Sequence, residues 1–181
     1  MAAITSGEIL WKLSTTAGAA GNSNTSTPSA SLGKYISTTA WAGGALNDLF
    51  DDVTGAENAA STVDYRCVFI HNSNAANALQ NAAVWLSAEV AGGTSIAIGV
   101  DTTAASAIGS ASAQALTIAS ETTAPAGVTF SSPTTFGTGV SIGSIPAGSC
   151  RAIWIRRTAS NSAALSNDGV TLSVQGDTGS L

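Results

Sequence analysis

The chain is short of charge. Lys, Arg, Asp and Glu make up 9% of its 181 residues, where an ordinary globular domain has about a quarter. Bases are scarcer than acids, six against eleven, for a net charge of −5. A domain of that sign lacks the cationic footprint that phosphate backbones require, so nucleic acid is not an expected partner. The sequence has one histidine, His71, and two cysteines, Cys67 and Cys150, with no CxxC pair. A usual zinc site cannot be assembled from that set, and neither a metal nor a cofactor is expected. No apolar run reaches the roughly 18 residues that cross a bilayer as a helix, so no membrane partner is expected either. The opening residues have no basic stretch and no apolar stretch follows them, which predicts synthesis in the cytoplasm without a signal peptide.

Ala, Gly, Ser and Thr fill the space that charge leaves. Small residues suit tight turns and close packing between chains, and they provide little colloidal solubility, which suits a protein that works in an assembly. Against that background the short apolar runs stand out. Val63-Asp-Tyr-Arg-Cys-Val-Phe-Ile-His71 and Cys150-Arg-Ala-Ile-Trp-Ile-Arg-Arg157 are apolar on both pleat faces, as in strands buried on both sides. In the second run Cys150, Ala152, Trp154 and Arg156 share one face and Arg151, Ile153, Ile155 and Arg157 the other. Residues 169–175 alternate, with Val170, Leu172 and Val174 on one side and a wet face opposite. Asn167-Asp-Gly169 is turn chemistry, which predicts a long-looped hairpin between these last two strands. A second hairpin is predicted where Gly92-Gly93 joins 83–90 to 95–101. Further short strands are expected over 8–13, 115–119, 128–130 and 139–145.

Strands at intervals near ten residues, with almost no helix, predict an all-β fold: an antiparallel β-sandwich, jelly-roll or immunoglobulin-like. Leu46, Leu49, Phe50 and Val53 follow helical spacing and predict a turn or two of helix. Residues 14–40 are so poor in large side chains that burial cannot offset their ordering entropy. The expected organisation is therefore an N-terminal strand plus a Ser/Thr/Gly-rich arm or loop over 1–45 and the sandwich domain over 46–181.

Chemistry is sparse. Gly139-Val-Ser-Ile-Gly143 matches the nucleophile pattern G-x-S-x-G, but Ile145-Pro146 follows instead of a helix and His71 lies upstream. No catalytic residue is assigned. Asp48, Asp51, Asp52 and Glu57 lack calcium-loop spacing. Arg66, Arg151, Arg156 and Arg157, at or near strand ends, are the candidate interface residues, expected to pair with nearby acids or with another subunit. Cys67 and Cys150 are expected to be buried thiols, with a disulfide between them left open.

Five stretches resemble a family of tailed-bacteriophage virion proteins: Asp48-Leu-Phe-Asp-Asp-Val-Thr-Gly-Ala-Glu57, Asp64-Tyr-Arg-Cys-Val-Phe-Ile-His-Asn72, Glu121-Thr-Thr-Ala-Pro-Ala-Gly-Val-Thr-Phe130, the run from Ile145 to Arg157, and Asn167-Asp-Gly-Val-Thr-Leu-Ser-Val-Gln-Gly-Asp-Thr178. Together they span residues 46–178. The resemblance implies a structural protein of the virion and carries no catalytic residues. The expected role is capsid decoration, as a cement protein whose partners are the major capsid protein and copies of itself in a homo-oligomer, with 14–40 draped over a neighbour. The alternative is a tail fibre, tip or baseplate domain that binds host-surface glycan through Trp and Arg.

Overall fold

In a computed structural model, residues 3–180 are described. They form two antiparallel sheets packed face to face, an all-β sandwich as expected. The strands are β1 Ile9–Thr15, β2 Tyr35–Ala40, β3 Val63–Asn72, β4 Asn77–Glu89, β5 Ser95–Val100, β6 Ser106–Ala107, β7 Val140–Ile145, β8 Ser149–Thr158 and β9 Val170–Ser180. The larger sheet runs β2-β1-β3-β8-β5, with β6 also against β8; the smaller runs β7-β4-β9. Among the described residues no helix is long and apolar enough to cross a membrane.

β8 lies inside the larger sheet. It pairs with β3 from Asn72↔Ser149 to Val63↔Thr158 and with β5 from Ser95↔Thr158 to Val100↔Ile153. Its two faces separate as the alternation predicts. Ile153 and Ile155 join Val68 and Ile70 against Val84, Leu86, Ile142 and Ile145 of the smaller sheet. Cys150, Ala152 and Trp154 join Cys67 and Phe69 on the opposite face, which no sheet covers; Ile36, Ala115 and Ile118 close over it. The strand is apolar on both sides because it has two covers, one a sheet and one irregular chain.

Neither predicted hairpin forms. β9 pairs with β4 and β8 with β3 and β5, so the last two strands lie in different sheets. β4 and β5 are likewise split: the Glu89 carboxylate, where a hairpin would use a backbone carbonyl, accepts the Ile96 N–H at 2.9 Å. From β3 onward every step except β5 to β6 switches sheets, unlike an immunoglobulin domain, which keeps D with E and F with G in one sheet. Two of these corners are joined by one side chain. Asn72 Nδ2 donates to Asn77 O at 2.8 Å in the β3–β4 corner and to Ile145 O at 3.0 Å in the β7–β8 corner.

Residues 14–40 are not a free arm, and of the expected segment 1–45 the described residues 3–45 do not stand apart from the sandwich. β1 lies between β2 and β3 in the larger sheet, and Ser31, Ile36 and Ser37 are fully buried. Hydroxyl groups do what large side chains were expected to do. Ser31 Oγ accepts the Ser14 N–H at 2.8 Å and donates to Cys67 O at 3.0 Å, Ser14 Oγ accepts the Gly33 N–H at 2.9 Å, and Ser37 Oγ donates to Leu13 O at 2.7 Å. Each such bond contributes about 0.5–1.5 kcal/mol net, enough together to order a chain that buries little apolar area. Gly33 shows how tight this cover is: its φ is +94°, and a Cβ there would lie 1.9 Å from Leu116 O and 3.1 Å from Trp154 Cζ2. Gly33→Ala is therefore expected to add about 1–3 kcal/mol of backbone strain to an overpacking cost of similar size, about 1–3 kcal/mol. A lowered urea midpoint with unchanged m-value checks this.

The predicted helix over 46–53 is absent; that stretch is turns, bends and irregular chain, and among the described residues the one α-helix is Gly55–Ala60. Leu49 is buried while Leu46 is 76% exposed, so the spacing does not mark one apolar face. The helix starts at a capping box: Thr54 accepts from Glu57 N–H, and the Glu57 carboxylate accepts the Thr54 N–H at 2.7 Å. The segments 115–119 and 128–130 contribute only bridges nearby, Gly33↔Thr117 and Ile98↔Ser131.

Candidate functional site

At one end of the sandwich the chain around 41–55 meets residues 88–96 and 160–171 around a cleft of about 970 Å³. Ile96, Ile155 and Arg157, from β5 and β8, form its floor. Leu46, Val90 and Leu165, exposed by 76%, 40% and 43%, stand at its rim. Among the described residues the only other large apolar side chain so exposed is Phe136. Asp48, Asp51, Asp52, Glu89 and Asp168 also line the cleft, which is therefore apolar at its lip and acidic around it. Burial pushes the Asp48 carboxyl up from its ordinary range, against the lowering effect of the Trp41 indole beside it.

The floor is held by an ion-pair network. Arg157 donates from Nη2 to Asp64 Oδ2 at 2.8 Å and to Asp51 Oδ1 at 3.1 Å, and from Nη1 to Asp51 O. Asp64 stands opposite Arg157 on β3. Arg66, 2% exposed, pairs with Glu121, and both guanidiniums lie over the Phe50 ring, at 5.5 Å for Arg66 and 4.8 Å for Arg157. These contacts hold the 46–53 stretch on the end of the sheet.

The four candidate arginines do not make one exposed patch. Arg66 and Arg157 are brought together, both buried and paired with acids of their own chain, the first of the two pairings expected of them. Arg151 lies at the opposite end of β8, where it donates to Asp101 O at 3.0 Å and to Thr103 O. Arg156 is on the other face, over the Phe130 ring at 5.3 Å, and is half-buried.

The remaining reactive groups are dispersed. Ser141 of the G-x-S-x-G match is an exposed residue within β7, opposite Ala83, and does not sit on a strand–turn–helix elbow. His71 is in β3 of the other sheet, opposite Cys150. Cys67 and Cys150 are free and buried. They lie on adjacent strands, but Cys67 stands opposite Trp154 and Cys150 opposite His71. That four-residue offset is about 13 Å along a strand, beyond the roughly 7 Å Cα separation a disulfide spans. Burial pushes the Cys150 thiol up to about 12 and raises that of Cys67 well above its usual range, so both stay protonated and unreactive. Among the described residues no three His, Cys, Asp or Glu side chains are grouped to hold a metal ion.

His71 gives a pH signature. Burial, then the nearby Lys12 charge, lower its pKa from the ordinary 6.5. A depressed folded-state pKa means the unfolded chain binds the proton first as pH falls. The stability it contributes is thus complete above about 6.5 and lost as pH drops through the lower folded-state value. Thermal unfolding followed from pH 7.5 to 5 is expected to show that decline, and His71→Gln to flatten it.

Compared with protein-family models, curated proteins and solved structures, the chain matches none. The fold itself defines the class: an antiparallel two-sheet β-sandwich with an apolar-rimmed cleft at one end. The rim was not legible in the sequence. Leu165 is a single large residue among Ala, Ser and Asn, and Leu46 follows helical spacing with Leu49, Phe50 and Val53, which points it toward a core instead of a rim.

Proposed function

We propose that this chain is a non-enzymatic structural protein of a tailed-phage virion, a capsid decoration (cement) protein that binds across major-capsid subunits as a homo-oligomer. The observation that carries the reading is that Leu46, Val90 and Leu165, three of the four exposed large apolar side chains among the described residues, line one cleft, the kind of concave, apolar-lined place where partners bind. The sequence resemblance over 46–178 and the scarcity of charge support it. Residues 14–40 do not, because they pack on their own sheet. A protein that binds assembled and not free capsomers stabilises the shell by linkage. Purified protein is expected to bind expanded heads that lack it and to raise their survival of heat and low salt. Leu46→Asp with Leu165→Asp is expected to abolish binding without unfolding the domain. Failure of the unmodified protein to bind, or heads equally robust without it, would overturn the proposal.

One observation favours the tail reading. Trp85 and Phe136 form an edge-on pair, centroids 5.8 Å apart, at the solvent side of the smaller sheet, a shape suited to stacking on a sugar ring. Cell-surface binding lost in a folded Trp85→Ala variant would support it. Trp154 cannot serve, being fully buried.

A further inference from the structure

The sandwich has four long sheet edges, and three are blunted. Along β2, the Asn22 N–H donates to Ile36 O at 2.6 Å and the Thr38 N–H to Asn24 O at 2.9 Å, so the 22–24 stretch covers that edge. Along β5, Ile98 and Ser131 exchange both backbone bonds, at 2.8 and 3.0 Å. β7 has six residues and turns at Gly143, where φ is +73°. β9 has eleven residues, no proline and no basic side chain, and its one acid, Asp177, is near its end. The register shifts between β4 and β9 each place the extra residue in β4, at 81–82 and at 87, so β9 itself runs regularly. Ile4 N–H reaches Thr178 Oγ1, but among the described residues no hydrogen bond reaches the outer edge over 170–176.

Which residues face that edge follows from β4. Leu86 stands opposite Leu172, yet its N–H donates to Pro133 O at 2.8 Å, away from β9. Opposed residues of an antiparallel pair exchange both backbone bonds or neither, so the Leu172 N–H and C=O point outward, and by alternation those of Val170 and Val174 do too. The Gly169 carbonyl, of the other parity, accepts from Val90 on the β4 side, as this requires. The side chains of Val170, Leu172 and Val174 pack on the core and remain partly exposed.

We infer that the β9 edge is a self-association surface, where a second copy of this chain adds its own β9 antiparallel across a two-fold axis at Leu172. That register sets Leu172 opposite Leu172, Val170 opposite Val174 and Thr171 opposite Ser173, apolar on apolar and polar on polar. Asp177 falls outside it, so no like charges meet. The outward N–H and C=O groups gain partners, and the three apolar side chains complete their burial. Unblunted edges are rare in natural sheets because they template such pairing. The inference is argued from strand geometry and specifies the homo-oligomer of the proposed function, on which it rests only for that: a monomer would overturn it together with the homo-oligomeric form, and leave shell binding to be judged on its own test.

Sedimentation velocity on the full chain from nanomolar to high micromolar concentration tests it. The unmodified protein is expected to dimerise. Val174→Pro deletes one outward donor and leaves the β4 ladder intact, since proline is tolerated on an edge; Leu172→Lys places two like charges on the axis. Either variant, if its thermal unfolding remains cooperative, is expected to weaken the dimer at least about tenfold. If the proline variant fails to fold, the lysine variant decides. A monomer at all concentrations, or association unchanged in the folded variants, would overturn the inference.

Discussion

Trp154→Ala is expected to destabilise the protein by about 3–5 kcal/mol, the range for removing a fully buried tryptophan from a packed core. In a chain of this length that lowers Tm by roughly 6–20 °C. Two effects combine. The indole is fully buried with Ile36, Phe69 and Ile118 around it, and the cover through Gly33 is too close to collapse freely into the space left. Its Nε1–H also donates to Asp101 Oδ2 at 2.6 Å. Asp101 is 1% exposed, and the same carboxylate accepts from Leu116 N–H at 2.9 Å and Thr103 N–H at 2.7 Å, thereby holding the irregular chain on the outer face. Trp154→Phe separates the two effects: it keeps most of the volume and loses the bond, so about 1–3 kcal/mol is expected. Differential scanning calorimetry of the pair measures both, and an unchanged Tm for the alanine variant would contradict the buried placement.

Arg157→Met is expected to cost about 3–5 kcal/mol, because it leaves Asp64 charged, buried and unpaired. The Asp64 side chain is 5% exposed, whereas Asp51, the other partner, is 65% exposed and can return to water. The same change releases residues 46–53, whose Asp51 carbonyl Arg157 holds, so the cleft should open with it. Faster amide exchange over 46–53 is the local readout. Arg157→Met combined with Asp64→Leu removes both buried charges, and replacing a whole buried pair by apolar groups is often neutral or stabilising. Recovery of global stability in the double variant, with exchange over 46–53 still fast, would show the pair to be a tether and not a source of net stability. Equal loss in single and double variants would contradict that account.

Much of the strand content was readable from local pattern. β3, β5 and β7 lie close to where alternation put them, and the two faces of β8 divide as the sequence reading has them. Serine-rich cover was not readable, because Ser14, Ser31 and Ser37 are stabilised by backbone groups distant in sequence. The helical spacing over 46–53 does not produce a helix, because Arg157 and Arg66 draw the segment flat onto the sheet end. The T-x-x-E box at Thr54 marks the real helix start and was locally legible.

By itself, then, the sequence determined which residues alternate, which strands bury two faces, and that one histidine and two distant cysteines do not make up a usual zinc ligand set. Those properties depend on side-chain type and period, which are local. The tertiary structure alone decided the partners: β8 with β3 and β5, β9 with β4, Arg157 with Asp64, and the meeting of Leu46, Val90 and Leu165 at one cleft. A strand's period states which face is buried and is silent on which neighbour buries it. Pairing is set by corners such as Asn72 and Pro146, whose hydrogen bonds join chain segments more than seventy residues apart.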